Sequence, residues 1–464
     1  MRVFFAYDNE DWVTPQSDDI VKRLAELHED YGLVACFYTV AERARALRRR
    51  GRQDVIEAFG HHEIAYHNDT HGHFPRAQGV YCEELGWEAG LAELLRIEAR
   101  GVQDVAAIFD EFPVTWCQGE CNWAPQAVHG LRQLGLGSWT GSLYGTPDGM
   151  PVWYMGQLSV RRAMHIVSVQ PNSADEPLFD RFTRDFERRM EEKSGEGFIY
   201  VFGHPCRWGA ETWWGQEQWA DYHAGKVTEP GQLRPPSKLY SRARIRRLLE
   251  ETDRCLEWVA SRDDLTPTTY GELNAACEEP SMVWLSIEGL LDAAEAVAGQ
   301  FTYVTLDEVT LSPADVLAAL VWLLSRPDAG EDPPIPVRRP LGPLGEPHAL
   351  GEATIVPIPV AQEAFRKVDE AIERTGAIPA KVSVNGLDLG PADVLRLAVH
   401  ALTAAEVEPW RLVPGPALPE VAEAQCFQET RFNSWSYPEG FEPTYLSNLA
   451  RWQSWTFRPA VMRW

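Results

Sequence analysis

Short apolar runs alternate with stretches of helical character through about the first 280 residues, and this order limits the fold more than any other feature. The apolar runs, which predict buried strands, lie at 2–7, 33–39, 63–66 and 197–202. The helical stretches between and after them lie at 17–31, 41–59, 82–100 and 124–134. Strands and helices in this order form a parallel sheet covered by helices. The sequence therefore predicts an α/β fold, either a barrel or a doubly wound sheet.

The sequence changes character after about residue 280. Residues 304–317 read VTLDEVTLSPADVL, and residues 382–395 repeat the pattern as VSVNGLDLGPADVL. Each copy leads into a helix that should begin at its Pro-Ala-Asp, because proline and aspartate are favoured in the first helical turn. We therefore predict a smaller, duplicated α+β region at the C-terminal end.

These features divide the 464 residues into four predicted parts, and a chain of this length has room for several domains. The parts are the α/β domain at 1–278, the first copy at 279–330, a connector rich in proline and glycine at 331–360, and the second copy with an aromatic tail at 361–464. The C-terminal region is also a candidate surface for a homo-oligomer.

The net charge of the chain limits the kinds of molecule that the protein is expected to bind. Lysine and arginine number 43 against 68 aspartates and glutamates, which gives a formal charge of -25. This acidity argues against nucleic acid and against anionic membrane surfaces as partners. The sequence contains no apolar run of roughly 18 residues and no signal peptide at its start. We expect a cytoplasmic protein that binds a small-molecule or carbohydrate substrate.

Histidines are concentrated in one short segment. Five of the 12 lie between His61 and His73, and imidazole is the commonest metal ligand in proteins. His67 and His71 are four residues apart, so in a helical turn both rings project from one face. Asp8, His67 and His204 each follow a predicted strand, and a parallel barrel gathers such residues at its C-terminal face. The sequence therefore brings these polar groups to one rim.

Four segments resemble, in order, motifs of the polysaccharide deacetylases, also called the NodB-homology or carbohydrate esterase family 4 type. They read FAYDNEDW at 5–12, YGLVACFY at 31–38, GHHEIAYHNDTH at 60–71 and IYVFGHP at 199–205. The resemblance covers about residues 1–275. It implies a distorted (β/α)7-type barrel and a divalent metal ion, which we expect to be zinc.

The resemblance also implies roles for individual residues. His67 and His71 would be metal ligands, and His204 would protonate the leaving nitrogen. In the spaced form of the first motif, Asp8 is the base and Glu10 is the third ligand, which we favour because asparagine occupies position 9. Asp8 as the carboxylate ligand is the alternative. Such a metal centre polarises a carbonyl and activates water for amide hydrolysis.

One motif of that family is largely missing. Its arginine-containing loop should lie near 115–119, where this chain reads TWCQG. Backbone N–H groups near Gln118 and Gly119 are the predicted oxyanion donors, since a backbone donor does not depend on the side chain. Trp208 and Trp213, in the tryptophan-rich stretch that follows His204, are predicted walls for a substrate ring; a loop pinned by buried tryptophans is the alternative.

Other polar residues near the motifs have simpler interpretations. His61, His62 and His73 are expected on the surface or around the ligands, because one ion cannot use five imidazoles. Asp11 is expected to cap the following helix. The favoured function is a metal-dependent hydrolase of C–N bonds that deacetylates an amino sugar or polysaccharide. The alternatives are an allantoinase-like amidohydrolase with a non-sugar substrate and a degenerate barrel that binds glycans without catalysis.

Overall fold

The computed structural model describes the chain except residues 120–122, 142–148, 161–165, 173–175, 194–196, 307–308, 329, 404–408, 421–436 and 439. The chain divides into two compact units. Unit 1 comprises Met1–Met150, Ser159–Ala276 and Thr430–Pro443, and unit 2 comprises Pro151–Leu158, Cys277–Glu429 and Thr444–Trp464. The domain boundaries given above stay predictions.

Strands and helices are numbered in chain order. The strands are β1 (Arg2–Asn9), β2 (Cys36–Thr39), β3 (Glu63–Tyr66), β4 (Ser138–Trp139), β5 (Val152–Tyr154), β6 (Gln157–Ser159), β7 (Ile166–Ser168), β8 (Phe198–Gly203), β9 (Thr266–Pro267), β10 (Trp284–Leu285), β11 (Val304–Leu306), β12 (Val309–Leu311), β13 (Ile335–Pro336), β14 (Thr354–Val356), β15 (Val382–Val384), β16 (Leu387–Leu389), β17 (Trp410–Leu412) and β18 (Arg458–Pro459). The helices are α1 (Gln16–Asp30), α2 (Ala41–Arg49), α3 (Gln53–Ala58), α4 (Gln78–Phe109), α5 (Pro125–Gln133), α6 (Leu178–Glu192), α7 (Cys206–Gly209), α8 (Trp219–His223), α9 (Arg242–Ala260), α10 (Tyr270–Ala276), α11 (Ile287–Gly299), α12 (Pro313–Leu324), α13 (Ile358–Thr375), α14 (Pro391–Thr403) and α15 (Thr444–Trp452).

A parallel sheet forms the centre of unit 1. Its strands follow the order β3-β2-β1-β8-β7, and β9 pairs with the start of β1. Single parallel bridges from Tyr66 to Trp116 and from Trp116 to Trp139 continue the sheet beyond β3. Strands β1, β2, β3 and β8 are buried along almost their whole length, as expected for a parallel sheet covered on both faces. The predicted α/β class with a parallel sheet is confirmed, whereas closure into a seven-stranded barrel stays a prediction.

The helices of unit 1 differ from the predicted stretches mainly at their ends. The stretch predicted at 41–59 forms two helices. Gly51, with a φ of +68, ends the helical conformation between α2 and α3. Helix α4 extends past both ends of the predicted stretch at 82–100, with Gly86 in a non-helical conformation inside it. In the part of the chain that the structure describes, no helix is long and apolar enough to cross a membrane.

Unit 2 contains the two similar segments seen in the sequence. Strands β11 and β12 form one antiparallel hairpin, β15 and β16 form another, and a helix precedes and follows each. The helices that were predicted at Pro-Ala-Asp begin at Pro313 and Pro391. Apolar residues from both segments share one core, which includes Leu317, Phe365 and Leu395. Duplication as the origin of this arrangement stays a prediction.

Candidate metal centre and active site

Polar residues lie where three strands of the unit 1 sheet end. Glu10 directly follows β1, His67 follows β3, and His204 follows β8. Asp8 is the last residue but one of β1. The Oδ2 atom of Asp8 lies 3.4 Å from Nε2 of His204 and 4.0 Å from Nε2 of His67. The structure thus brings Asp8, His67 and His204 together at one rim.

Glu10, His67 and His71 form a compact buried group. Oε2 of Glu10 lies 2.9 Å from Nε2 of His71 and 3.7 Å from Nε2 of His67. One atom from each residue lies within 4.8 Å of the others, which is close enough for all three to contact one ion. Asp8, Glu10 and His204 meet the same criterion, so Glu10 belongs to both groups.

The hydrogen bonds of His67 fit a metal ligand. Its Nδ1 atom lies 2.9 Å from the carbonyl oxygen of Cys117, which can only accept, so Nδ1 carries a proton. Nε2 is buried and has no hydrogen-bond partner among the described residues. A neutral ring in this state presents its Nε2 lone pair to the group, as ligating histidines do. The donor set, two imidazoles and a carboxylate, is one that zinc accepts.

The charges around the group are consistent with a bound cation. Burial alone would lower the pKa of His67, but the carboxylates of Asp8 and Glu10 raise it well above its usual range. Burial alone would raise the pKa of Glu10, but the imidazoles of His71, His67 and His204 lower it well below its usual range. The carboxylates therefore favour a positive charge beside them, either a proton on histidine or a divalent ion, and metal binding releases protons from such ligands.

A second histidine orients His71. The Nδ1 atoms of His71 and His73 lie 3.2 Å apart, so one ring donates and the other accepts. The backbone oxygen of His73 in turn accepts a hydrogen bond of 3.1 Å from the hydroxyl of Tyr222. His73 is therefore buried beside a candidate ligand. His62 is buried elsewhere, with its ring bonded to the backbone of Ala25 and Ala35, and only His61 of the three is exposed.

The ligand loop is a tight turn and not the helical turn that the histidine spacing suggested. Asn68 and His71 have φ values of +62 and +58, in the left-handed region that asparagine tolerates well. The Asn68 amide accepts from the N–H of Gly119 at 3.1 Å and donates to Gln78 at 3.0 Å and to Glu98 at 3.3 Å. These bonds fix the loop while both rings face Glu10.

A glutamine supports His204. Oε1 of Gln170 lies 2.8 Å from Nδ1 of His204 and also accepts the backbone N–H of His204 at 2.9 Å. Because an amide oxygen only accepts, Nδ1 of His204 carries a proton and Nε2 is directed at Asp8. Gln170 was not predicted, since it lies in a polar segment far from the motifs in sequence.

Asn9 and Asp11, the sequence neighbours of Asp8 and Glu10, have their hydrogen-bond partners away from the candidate metal site. The Asn9 amide accepts from Nε of Arg43 at 3.1 Å and donates to Thr39 at 3.2 Å, on the side of β1 away from Asp8. Arg43 also pairs with buried Asp18. Asp11 accepts the backbone N–H groups of Val13 and Thr14 at 3.0 and 2.9 Å, and burial raises its pKa to about 6. These bonds close a turn ahead of α1, so the prediction that Asp11 caps this helix is wrong: Pro15 occupies the N-cap position, and no side chain caps the helix.

One of the two predicted oxyanion donors is occupied within the protein, because the N–H of Gly119 donates to Asn68. The side-chain oxygen of Gln118 accepts from the indole of Trp139 at 2.7 Å, and the backbone N–H of Gln118 stays a predicted donor. Trp208 is 0% exposed, and its indole N–H donates to Thr252 at 2.9 Å, so this ring belongs to the core and not to a substrate wall.

Trp213 and Trp214, which follow in the same stretch, do lie at the site. The Trp213 ring lies 4.6 Å from the ring of His204 and perpendicular to it, with the guanidinium of Arg207 above the indole. Trp214 was not predicted, yet its indole N–H donates to Oε1 of Glu10 at 2.8 Å. The many tryptophans in this stretch made it a candidate substrate wall. No pattern in its sequence indicates which of the rings contacts the site.

Trp214 lies in a segment that covers one side of the ligands. We call residues 210–233 the cap segment. Its apolar side chains Trp214, Val227 and Leu233 pack in one cluster with Trp12 and Phe74. The rings of Trp12 and Trp214 lie 4.4 Å apart. The cap segment therefore forms a packed wall on the side of Glu10 and His71.

Comparison with known proteins finds no match by sequence and only weak structural likeness. The sequence matches no known family profile and no curated protein. A family 4 carbohydrate esterase from Streptomyces lividans, solved with acetate, is 14% identical, with a TM-score of 0.31 over 58% of this chain and 92% of that protein. The Puue allantoinase is 12% identical, with a TM-score of 0.36 over 59% of this chain and 89% of that protein.

The same degree of likeness extends to an enzyme with a different named activity. A 4-alpha-glucanotransferase from Thermococcus litoralis is 11% identical, with a TM-score of 0.38 over 59% of this chain and 40% of that protein. TM-scores this low carry no conclusion about family or activity. The resemblance to polysaccharide deacetylases stays a prediction, and function has to be argued from the site.

Proposed function

We propose that the protein is a metal-dependent hydrolase of C–N bonds that removes an acetyl or similar acyl group from an amino sugar or polysaccharide. One observation carries the proposal: the buried group of Glu10, His67 and His71 lies directly beside the Asp8–His204 pair. A base, an acid and a cation site at one rim are the parts that amide hydrolysis needs.

Each residue has a role that follows from its position. Glu10, His67 and His71 would hold a divalent ion, zinc in our proposal, which when bound supplies a Lewis acid for the substrate carbonyl. Asp8 would take a proton from the attacking water. His204, held by Gln170 through Nδ1, would deliver a proton from Nε2 to the departing nitrogen as the C–N bond breaks. We assign no oxyanion contact to Gly119, because its N–H is bonded to Asn68.

Release of acetate from N-acetylated sugars tests this proposal. Purified protein should release acetate after zinc loading and lose that activity when a chelator removes the ion. Asp8→Asn should retain the ion and lose activity, because it removes the base and keeps the three ligands. If the zinc-loaded protein releases no acyl group from any sugar or amide supplied, the hydrolase proposal fails and a binding role remains.

A second candidate is a hydrolase of the same kind with a small, non-sugar amide substrate. The cap segment favours it, because Trp214 and its neighbours close one side of the buried ligands. A sugar within a polymer needs open space on both sides of the reacting group, whereas a small molecule or a chain end needs one. Turnover of N-acetylglucosamine, of a chitin polymer and of cyclic amides should be compared. Preference for the polymer would exclude this candidate.

A further inference from the structure

We propose that Trp214 is a positioning residue for the metal ligand Glu10, and that its indole N–H makes this glutamate a one-oxygen ligand. The inference rests on the proposed function, because it takes Glu10, His67 and His71 as the ligands. It adds Trp214, a residue of the cap segment that is not a ligand. We expect Trp214 to fix the orientation of the Glu10 carboxylate.

The two oxygens of Glu10 have different partners. Oε1 accepts the indole N–H of Trp214 at 2.8 Å, and Oε2 faces Nε2 of His71 at 2.9 Å and of His67 at 3.7 Å. An indole can only donate, so it binds a carboxylate oxygen and cannot itself be a ligand. With Oε1 held in this way, Oε2 alone would contact an ion held by the three residues, which would leave more coordination positions open for substrate.

Trp214 is itself held firmly. It is 2% exposed, its ring contacts Trp12 at 4.4 Å, and it meets the ring of His71 at 5.6 Å in a perpendicular arrangement. The rest of the cap segment is tied down nearby, since the indole N–H of Trp12 donates to the backbone oxygen of Pro230 at 3.3 Å. The position of Glu10 is therefore linked to the packing of the cap segment. By linkage, an ion that uses Glu10 also stabilises that packing.

Removal of the indole N–H should weaken metal binding. In Trp214→Phe, an aromatic ring still fills the cluster, but Oε1 of Glu10 loses its donor inside the protein. The carboxylate can then rotate, and an ordered ligand becomes a mobile one. Loss of such a supporting hydrogen bond typically lowers metal affinity by about 10- to 100-fold.

Trp12→Phe is a matched control. Trp12 is 4% exposed, belongs to the same cluster, and its indole also donates one hydrogen bond, but to Pro230 and not to a ligand. Both substitutions therefore remove one buried indole N–H and shrink one ring. Only Trp214→Phe removes a contact with Glu10, so a difference between the two variants isolates that contact.

The experiment is a zinc titration of the full chain against a competing chelator, for wild type and both variants. We expect Trp12→Phe, which loosens the cap segment but keeps the bond to Glu10, to bind only slightly more weakly than wild type, and Trp214→Phe to bind about 10- to 100-fold more weakly. The absorption spectrum of the Co²⁺-loaded protein should also change in Trp214→Phe alone. Equal affinity in the two variants would overturn the inference while the ligand assignment stands. Absence of zinc binding by wild type would overturn both.

A measurement on wild type keeps the test valid if Trp214→Phe does not fold. Zinc should slow backbone hydrogen exchange in the cap segment, because ion and cap share Glu10 through Trp214. Zinc binding that leaves exchange in residues 210–233 unchanged would contradict the link.

Discussion

Acid should destabilise the protein through His62, and the size of the effect follows from the burial of this ring. His62 is 4% exposed, and burial lowers its pKa from 6.5 to about 4. The unfolded chain therefore binds a proton at a higher pH than the folded chain does. The folding stability that depends on a neutral His62 ring is fully present above pH 6.5 and is lost as the pH falls toward 4. With about 1.4 kcal/mol for each pH unit, the loss is about 2 kcal/mol at pH 5 and about 3 kcal/mol below pH 4.

The assay is urea unfolding of the metal-free protein at pH 7.5 and pH 5. His62→Gln removes the titrating ring and keeps a donor near the carbonyl of Ala25, the partner of Nε2 at 3.0 Å. Compared with wild type, the variant should therefore lose about 2 kcal/mol less between the two pH values. His61→Gln is the matched control, because His61 is exposed and its replacement should leave the wild-type pH dependence intact. Equal pH dependence in wild type and His62→Gln would refute the reasoning.

Three further predictions concern the site and its support. Asp8→Asn should lower turnover by about 100-fold or more and leave zinc affinity nearly unchanged; loss of zinc would instead make Asp8 the carboxylate ligand. Gln170→Ala should lower kcat more than it raises KM, because it frees the His204 ring, and an equal fall in kcat for Gln170→Ala and Gln170→Asn would contradict this. Arg43→Met leaves buried Asp18 without its main partner and should cost about 3–5 kcal/mol in urea unfolding; a cost below 1 kcal/mol would show that Arg50 and Arg52 replace it.

The sheet of unit 1 could be predicted because its strands are buried on both faces. Such strands are continuous apolar runs, so β1, β3 and β8 are visible in the sequence near their observed positions. Short strands such as β7 carry too few residues for a pattern. The single-residue bridges at Trp116 and Trp139 depend on neighbouring chain and have no local signal at all.

The candidate site could be predicted only where its residues belong to the short motifs or to the tryptophan-rich stretch. Asp8, Glu10, His67 and His204 come from short motifs at strand ends, and the structure brings them together. Trp214, Gln170 and Glu98 contact them or their loop from distant parts of the chain, and only the folded structure reveals such partners. Trp208 shows that the tryptophan-rich stretch alone could mislead. It lies in the same stretch as Trp213 and Trp214, yet from α7 its side chain is buried in the core.

Several statements from the sequence stay predictions. These are the closure of the barrel, the four-part division of the chain, the cytoplasmic location and a homo-oligomer formed through the C-terminal region. The exclusion of nucleic acid and membrane partners rests on the formal charge of -25 and belongs with them. Charge describes the chain as a whole and does not locate a surface.

Metal content is the most direct test of the account. Wild type, His71→Ala and the control His61→Ala should each be loaded with zinc, dialysed and analysed for bound ion by mass spectrometry. If Glu10, His67 and His71 are the ligands, wild type and His61→Ala should each retain one tightly bound ion per chain. His71→Ala should retain none. A wild-type protein that retains no zinc, or a His71→Ala variant that retains it fully, would contradict the central claim.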